Sequence, residues 1–411
     1  MSKVLAVDIG TTTIALSVTD TDRVYSACES DLPASSSAAF FKADSNELAA
    51  VIENPQRLYG SDVISRMNNA IKPQLAKKMR VLIRDAIKTA AADRFHIGWQ
   101  SLSGIVISGN TLMTHLFYGL DVSGMLTAPF TPVDLSPEIC DWDGVPVTSM
   151  PGISAFVGGD IVSGIYALKL IDESSPVLLA DLGTNGELVL AVGGKILSTS
   201  VAAGPAFEGG NLSIGMPALP GAIDSLTIKN GFCRIHTIEH QLPPKGLCGS
   251  GLIEAVYELK QNGILDAHGS FLSGQYRENG FPLYIQNIDQ KLALSQEDVR
   301  AFQVAKAAVR AGIDALLSEA RLSLADISRF YLAGSFGQHI DIKKASGIGL
   351  IPEDLVNCTF LVGNTSLAGA VRLAQHPDDY PAVAKIAAAA SSVSLADSDI
   401  FKESYFRNMD L

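Results

Sequence analysis

Two short stretches decide the fold, Leu5–Thr11 (LAVDIGT) and Leu179–Thr184 (LADLGT). In each stretch an apolar run leads to an aspartate, one apolar residue, a glycine and a threonine. A second apolar run follows, at Ile14–Val18 after the first copy and at Leu188–Val192 after the second. Short apolar runs bounded by turn residues are typical of buried strands, so each copy predicts a strand, a tight turn and a second strand. The two copies are separated along the chain by about the length of one domain. The sequence therefore predicts two similar lobes that face each other across a cleft.

Strands and helices alternate through the rest of the chain, which favours an α/β protein. Apolar residues at helical spacing over Leu75–Ala92, with lysine and arginine on the other face, predict an amphipathic helix. Gly104–Ile107 predicts a strand, and a helix is expected to start at Thr111. Leu32–Arg57 predicts a loop with a short helix, and Gly124–Gly152, which is rich in proline, predicts an irregular excursion.

Length and composition describe an acidic globular protein. At ~150 residues per domain, the 411 residues predict two or three domains, and we expect them at 1–175 and 176–411. The net charge of -12 argues against nucleic-acid binding, which needs a cationic surface. No apolar stretch approaches the ~20 residues of a membrane span, and the amino terminus MSKVLAVDIG lacks a signal-peptide core. We therefore expect a cytoplasmic protein that makes no membrane contact.

The cysteines are dispersed along the chain, odd in number and free of any C-x-x-C pair. This pattern predicts neither a disulfide scaffold nor a self-contained zinc site. The five are Cys28, Cys140, Cys233, Cys248 and Cys358.

Each strand–turn–strand unit contains the residue types that bind Mg²⁺ and phosphate. A carboxylate at a strand end holds Mg²⁺ mostly through water, because Mg²⁺ dehydrates reluctantly. A glycine lets the backbone approach a phosphate, and hydroxyls and amides donate to its oxygens. Asp8 and Asp181 are therefore the candidate catalytic, metal-organising pair, with helix caps or turns as the alternative. The candidate phosphate-binding residues, for which an ordinary turn is the alternative, are Gly10, Thr11, Thr12, Thr13, Gly183, Thr184 and Asn185.

Two glycine-rich loops provide further candidate binding residues. Cys248–Gly251 opens an apolar helix, where free amides can meet an anion or a flat base. Tyr331–Gly337 is a strand that runs into a glycine turn, whose bare backbone lets an adenosine lie close. An ordinary turn is the alternative for both loops. The candidate cofactor-binding residues here are Gly249, Ser250, Gly334 and Ser335.

Three further carboxylates are candidates for the same chemistry. Asp160 follows two glycines at a helix start and is a candidate for orienting the attacking water, or else a helix N-cap. Glu187 lies two residues after Asn185 and is a candidate catalytic residue, or else a surface or cap residue. Glu208 lies in the glycine-rich segment Gly204–Gly210 and is a candidate for approaching the sugar or a phosphate, or else a loop carboxylate.

These motifs, in this order, resemble those of the ATPase fold shared by acetate and sugar kinases, heat-shock 70 proteins and actin. The resemblance implies two actin-like, ribonuclease H-like lobes with ATP and Mg²⁺ in the cleft between them. The two hairpins would be the phosphate motifs and Tyr331–Gly337 the adenosine motif. Two helices would connect the lobes, one over Gly158–Leu170 and one starting at Val362.

Finer signatures resemble the ATPase part of the reductive activators of corrinoid proteins, from about Lys3 to the end of the chain. They include Tyr59–Ser65 (YGSDVIS), Gly109–His115 (GNTLMTH), Ala203–Gly209 (AGPAFEG) and Asn364–Gly369 (NTSLAG). The resemblance implies an ATPase that drives the re-reduction of an inactive cob(II)alamin carried by a partner protein.

In such activators the electron comes from an iron–sulfur domain placed before the ATPase part. Here the first motif already starts at Asp8, and the cysteines lack cluster spacing. We therefore expect a separate electron donor. A small-molecule kinase of the same fold and a nucleotide-responsive binding module remain alternatives, because one fold hosts many functions. A homodimer also remains open.

Overall fold

The computed structural model describes residues 2–20, 49–137, 140–287, 291–334 and 340–411. The strands of these residues are β1 (Lys3–Ile9), β2 (Thr13–Asp20), β3 (Ala49–Glu53), β4 (Leu102–Gly109), β5 (Cys140–Trp142), β6 (Val145–Ser149), β7 (Val177–Leu182), β8 (Gly186–Val192), β9 (Lys195–Val201), β10 (Ala222–Lys229), β11 (Phe232–Thr237), β12 (Gly246–Leu247), β13 (Phe281–Ile285), β14 (Lys291–Leu294), β15 (Arg329–Ala333), β16 (Thr359–Gly363) and β17 (Ala390–Ser392). The α-helices are α1 (Val63–Ala70), α2 (Pro73–Phe95), α3 (Thr111–Tyr118), α4 (Gly159–Ala167), α5 (Gly249–Gln261), α6 (Gly274–Asn279), α7 (Gln296–Ala320), α8 (Ile342–Gly347), α9 (Thr365–Gln375), α10 (Tyr380–Ala389) and α11 (Asp399–Arg407). The α/β class expected from the sequence is confirmed.

The chain divides into two compact units, each with its own core. The first consists of Met1–Ser174, Ala191–Ser198 and Asn364–Ser392, and the second of Ser175–Leu190, Thr199–Gly363 and Val393–Leu411. The break after Ser174 lies next to the domain boundary expected at 175/176. In contrast, Asn364–Ser392, which that expectation assigned to the second domain, packs with the first unit.

A six-stranded mixed sheet forms the centre of the first unit, in the order β3-β2-β1-β4-β6-β5. Strands β1 and β2 form the antiparallel hairpin expected from the first motif, with Asp8 opposite Ala15. Strand β4 runs parallel to β1 and places Ser108 beside Asp8. Helix α2 buries Ile83 and Ile87 in the core, as its helical apolar spacing predicts.

In the second unit, four strands lie in the order β16-β15-β7-β8. Strands β7, β15 and β16 are parallel, and Asp181 on β7 is opposite Ala333 on β15. Two small sheets, β11-β10-β12 and β13-β14, belong to the same unit. Helices α5 and α7 bury apolar residues such as Val256 and Ile313. The first strand of the second strand–turn–strand motif, β7, therefore ends beside the end of β15.

Three segments differ from the sequence-based expectation. In Leu32–Arg57, residues 49–53 form the edge strand β3, while 32–48 lie outside the described residues. Gly124–Gly152 contains the antiparallel pair β5 and β6, which a two-residue turn separates. The helix expected from Val362 begins at Thr365, because Val362 and Gly363 complete strand β16.

Within the described part of the chain, no helix has both the length and the apolarity needed to cross a membrane. The 25-residue helix α7 is long enough, but charged residues lie even on its buried face, at Asp298 and Lys306.

Candidate functional site

Asp8 lies near the end of β1, and donors from the start of α9 hold both of its carboxylate oxygens. The Asn364 side-chain amide donates to Oδ2 at 2.8 Å, and the Ser366 hydroxyl donates to Oδ1 at 2.7 Å. Burial raises the pKa of Asp8 above its ordinary value, and the two hydrogen bonds oppose that rise. The carboxylate is therefore fixed in position and only partly exposed.

The start of α9 is shaped for this contact. Asn364 is the N-cap, and its Oδ1 accepts the Leu367 amide at 2.8 Å while its Nδ2 reaches Asp8. The Ser366 hydroxyl lies 2.8 Å from the hydroxyl of Ser108 on β4. Ser163 on α4 donates to the Ser366 carbonyl at 2.7 Å. A buried polar network thus ties Asp8 to three elements of the first unit.

The sequence motif included Asn364 and Ser366, but no sequence argument gave them a role beside Asp8. The one local signal is the junction itself, where an asparagine follows an apolar strand and caps a helix. Asn110, the N-cap of α3, was also missed, and its amide donates to the Thr11 hydroxyl at 3.0 Å. Thr11 and Thr12 are buried in the turn after β1, and Thr13 starts β2 half-buried.

Asp160 lies in the first turn of α4 and is half-buried. The N-cap of this helix is Gly158, so the N-cap alternative for Asp160 is wrong. Its Oδ1 accepts the Ile161 amide at 2.9 Å. Burial, and then the negative charge of Asp8, raise the pKa of Asp160 to about 7. Two carboxyl groups of the first unit therefore influence each other's ionisation.

The second hairpin has a different neighbour, the carboxylate of Glu208. The Thr184 hydroxyl donates to Glu208 Oε2, and a Cβ built on Gly183 would lie 3.3 Å from Oε1. Glu208 ends a short turn, Pro205–Glu208, that precedes a left-handed glycine. Glu187 on β8 is buried, and the Ser200 hydroxyl is 3.4 Å from its Oε1. In the second hairpin, Asp181 and Asn185 lie on either side of Gly183 and Thr184.

Two glycines of the second unit are explained by close backbone packing. A Cβ on Gly249, the first residue of α5, would overlap the Phe207 carbonyl oxygen. Gly334 has φ +112°, and its Cβ would overlap the Leu182 carbonyl and lie 3.4 Å from Asp181 Oδ1. These contacts bring the glycine-rich loops to the Glu208 turn and to the second hairpin.

The structure thus places the candidate residues in two groups, one in each unit. In the first unit, Asp8 and Asp160 lie close enough to interact, next to the turn of the first hairpin; this group comprises Asp8, Gly10, Thr11, Thr12, Thr13 and Asp160. Contacts in the second unit connect most of the remaining candidates, which are Asp181, Gly183, Thr184, Asn185, Glu187, Glu208, Gly249, Ser250 and Gly334. Ser250 is buried, with its hydroxyl 3.3 Å from Cys248 Sγ. Ser335 lies outside the described residues.

The first group fits a Mg²⁺ ion held through water. Each carboxylate oxygen of Asp8 has two acceptor positions, and the hydrogen bonds from α9 use one of them on each oxygen. The remaining positions can accept metal-bound water, as Mg²⁺ prefers. A nearby cation would also relieve the repulsion between Asp8 and Asp160. Across the described residues, no three histidine, cysteine or acidic side chains form a ready-made metal cluster.

Two family models match this chain. One, described as the C-terminal domain of RACo, the ASKHA domain, covers residues 175–411, and the other, the RACo middle region, covers residues 42–173. The chain belongs to the RACo family. The resemblance to the reductive activators of corrinoid proteins is thereby confirmed, and so is the actin-like ASKHA fold.

Individual relatives agree with the family assignment. The corrinoid activation enzyme RamQ of Eubacterium limosum is 29% identical over 391 residues, which are 86% of this chain and 64% of that protein. The Co(II) methylated amine-specific corrinoid protein reductase of Methanosarcina barkeri is 29% identical over 270 residues, 62% of this chain and 49% of that protein. A solved reductive activator for a corrinoid, iron–sulfur protein superposes with a TM-score of 0.86 at 30% identity, covering 100% of this chain and 66% of that one.

This RACo-family chain therefore spans about two thirds or less of the length of these relatives. Their names describe a corrinoid activation enzyme, a reductase of a corrinoid protein and a reductive activator for a corrinoid, iron–sulfur protein.

Proposed function

We propose that this chain binds and hydrolyses ATP with Mg²⁺ and couples ATP to the reductive activation of a corrinoid protein. The observation that carries the proposal is Asp8, a half-buried carboxylate fixed through both oxygens beside a Gly-Thr-Thr turn, in a chain of the RACo family. Phosphoryl transfer needs little covalent chemistry from a protein, and depends on positioning and on stabilising charge. A rigid carboxylate next to a phosphate-binding turn meets that need.

The proposed roles follow the two groups of residues. Asp8 and Asp181 orient the water shell of Mg²⁺, and Asp160 orients the attacking water, for which a pKa near neutrality is suitable. The turn residues Thr11, Thr12, Thr184 and Asn185 donate to phosphate oxygens. The glycine-rich segments at Gly249 and Gly334 approach the adenosine, and Glu187 and Glu208 support the second hairpin.

The corrinoid partner is proposed from the names of the relatives, each of which refers to a corrinoid or a corrinoid protein. We further propose that a separate donor supplies the electron, because the five cysteines of the chain lack cluster spacing. Four of them, Cys140, Cys233, Cys248 and Cys358, are free thiols in different segments of the chain.

The first test is an ATPase assay of the purified chain with Mg²⁺, alone and with a cob(II) corrinoid protein. We expect release of inorganic phosphate that increases when the partner is added. EDTA provides the metal-free control. Transfer of phosphate to a small acceptor, with no effect of any corrinoid protein, would contradict the proposal and favour a kinase.

The second test measures coupling between the ligands. ATP can do work on a partner only if the partner binds one nucleotide state better. We expect a non-hydrolysable ATP analogue to tighten binding of the cob(II) partner by ~5–150-fold, and the partner to tighten analogue binding by the same factor. Equal partner affinity with and without the analogue would show that binding is not coupled.

A further inference from the structure

The turn that follows Asp8 has its backbone carbonyls held from one side. The side chain of Asn54 donates from Nδ2 to the Gly10 carbonyl at 2.8 Å, and its backbone amide donates to the Thr12 carbonyl at 2.9 Å. Arg66 donates from Nη2 to the Thr11 carbonyl at 2.8 Å. Three consecutive carbonyls therefore receive donors from two residues that lie outside the sequence motifs.

Both donors are buried and are themselves held in place. Asn54 is 1% exposed and Arg66 is fully buried. Asn54 Oδ1 accepts the Gln56 amide at 2.9 Å, and Arg66 donates from Nε and Nη2 to the Gly60 carbonyl at 3.1 and 2.9 Å. Arg66 Nη1 donates to Met113 Sδ at 3.4 Å, so each Arg66 nitrogen is directed at a definite acceptor. An arginine suits this task because its donors form a rigid planar fork.

The geometry of a trans peptide decides what this does to the turn. The peptide bonds from Gly10 to Thr13 are trans, so each carbonyl and the N–H of the next residue point in opposite directions. When the carbonyls of residues 10–12 point towards Asn54 and Arg66, the N–H groups of Thr11, Thr12 and Thr13 point away from them. A run of N–H groups presented on one side makes an anion-binding concavity.

The charge of Arg66 acts in the same direction. A guanidinium is always protonated in proteins, and burial in a medium of low dielectric strengthens its field at the turn. The Gly10–Thr13 turn thus has a positive potential on the side of Arg66 and N–H groups on the opposite side. The Thr11 hydroxyl accepts a hydrogen bond from Asn110, so its O–H can still donate to a ligand.

We propose that Asn54 and Arg66 are positioning residues that lock the Gly10–Thr13 turn in the conformation that binds phosphate oxygens. This inference rests on the proposed function, because it presumes that ATP is the ligand. It assigns a role to residues of the RACo middle region, which matches 42–173. The adenosine end of the nucleotide does not depend on this turn.

The test compares ATP with adenosine by calorimetry, in the parent chain and in Arg66→Lys. The lysine keeps the charge but cannot reach both carbonyls with a fork. We expect ATP affinity to fall roughly 10- to 100-fold, as for loss of a charged hydrogen bond, while adenosine affinity is retained. The matched control is Arg84→Lys, because Arg84 also donates to a carbonyl in the first unit, that of Phe117, at 3.2 Å.

A second variant covers the case in which Arg66→Lys does not fold. Asn54→Asp keeps the shape and the acceptor for Gln56 but replaces the donor to Gly10 with an oxygen. Thermal unfolding identifies the variants that are folded. We expect a lower ratio of ATP affinity to adenosine affinity in every folded Asn54 or Arg66 variant and an unchanged ratio in Arg84→Lys.

The outcomes separate the two proposals. If the parent binds ATP and the ratio is unchanged in folded Arg66→Lys and Asn54→Asp, the positioning role is wrong and the proposed function stands. An equal loss of ATP and adenosine affinity would show a general structural role and overturn the inference. A parent that does not bind ATP would overturn the proposed function and this inference with it.

Discussion

The two strand–turn–strand hairpins share a sequence pattern but have neighbours of opposite character. Around the first hairpin the neighbours donate, because Asn364 and Ser366 hold the Asp8 carboxylate and Arg66 holds a turn carbonyl. Against the second hairpin lies an acceptor, since the Glu208 carboxylate takes the hydroxyl proton of Thr184. A duplicated motif therefore does not imply duplicated surroundings.

This difference suggests a division of roles. A carboxylate held by two neutral donors has a fixed position, which suits the organisation of a metal's water shell. A threonine hydroxyl engaged by a carboxylate must change partner before it can donate to a phosphate. We therefore expect the first hairpin to control turnover and the second to control the dependence of ATP binding on Mg²⁺. Four predictions test this contrast.

The largest effect is expected for Asp8→Ala. Loss of the metal-organising carboxylate should lower kcat by roughly 100-fold or more, about 3 kcal/mol at the transition state, with a much smaller effect on ATP affinity. The measurement is steady-state ATPase activity at saturating ATP and Mg²⁺, beside the dissociation constant. Asp141→Ala on β5 removes an exposed carboxylate from the same unit and should leave kcat unchanged. An unchanged kcat in Asp8→Ala would exclude Asp8 from the metal site.

Much of the fold around these hairpins is visible in the sequence. The apolar runs at β1, β2, β7 and β8 have clear ends, and apolar residues recur at helical spacing over Leu75–Ala92 in α2. Strand β3 is hidden because it is an edge strand, exposed at alternate positions and rich in alanine. Strands β5 and β6 are short, and a proline at position 146 masks the second of them.

The candidate site was less predictable, for a physical reason. The pattern around Asp8 identifies a carboxylate at a strand end, but its partners Asn364 and Ser366 lie more than 350 residues further along the chain. Local periodicity gives no information on such pairs, which only the packing of α9 on the sheet creates. Arg66 was hidden for a related reason, since a lone arginine near a helix start is most often a surface residue.

The second prediction concerns Gly334, where β15 ends beside the second hairpin. Gly334→Ala should lower the free energy of unfolding by about 3 kcal/mol, because the residue has φ +112° and its Cβ would overlap the Leu182 carbonyl. The matched control is Gly193→Ala, at φ +55° with no atom within 4 Å of the added Cβ. The control should cost only about 1 kcal/mol, from backbone strain alone. If urea unfolding showed equal losses of unfolding free energy in Gly334→Ala and Gly193→Ala, the contact of residue 334 with the Leu182 carbonyl would not be tight.

The third prediction concerns the pH dependence of stability beside the first hairpin. The pKa of Asp160 is raised to about 7 in the folded chain from the ordinary value of about 3.9, so the folded state binds this proton more tightly. The resulting stability is full below about pH 4 and is lost as the pH rises through about 7. Without Mg²⁺ and nucleotide, the parent should therefore lose about 1–3 kcal/mol relative to Asp160→Asn over that range.

The control residue for Asp160 is Asp121, and its contribution to stability should change with pH in the opposite direction. Hydrogen bonds from Ser123 lower the pKa of the exposed Asp121, so this residue favours the folded state above its ordinary pKa. Relative to Asp121→Asn, the parent should gain stability as the pH rises from acid values. Chemical unfolding of the three proteins at matched pH values decides the question. If the free energies of unfolding of the parent and of Asp160→Asn changed in parallel with pH, the pKa of Asp160 would not be raised in the folded chain.

The smallest effect is expected for Glu208→Gln. In the second hairpin the Thr184 hydroxyl donates to Glu208, so an incoming phosphate oxygen competes with a carboxylate and is repelled by it. A neutral glutamine removes the repulsion, and ATP without Mg²⁺ should bind about threefold to tenfold tighter, a gain of about 1 kcal/mol. With Mg²⁺ the gain should shrink, because the cation already offsets the charge. Calorimetry with and without Mg²⁺ measures both values, and Glu297→Gln, an exposed position at the start of α7, is the matched control. Weaker binding only in the presence of Mg²⁺ would instead place Glu208 in the metal's water shell, and no change in either condition would leave it a loop carboxylate.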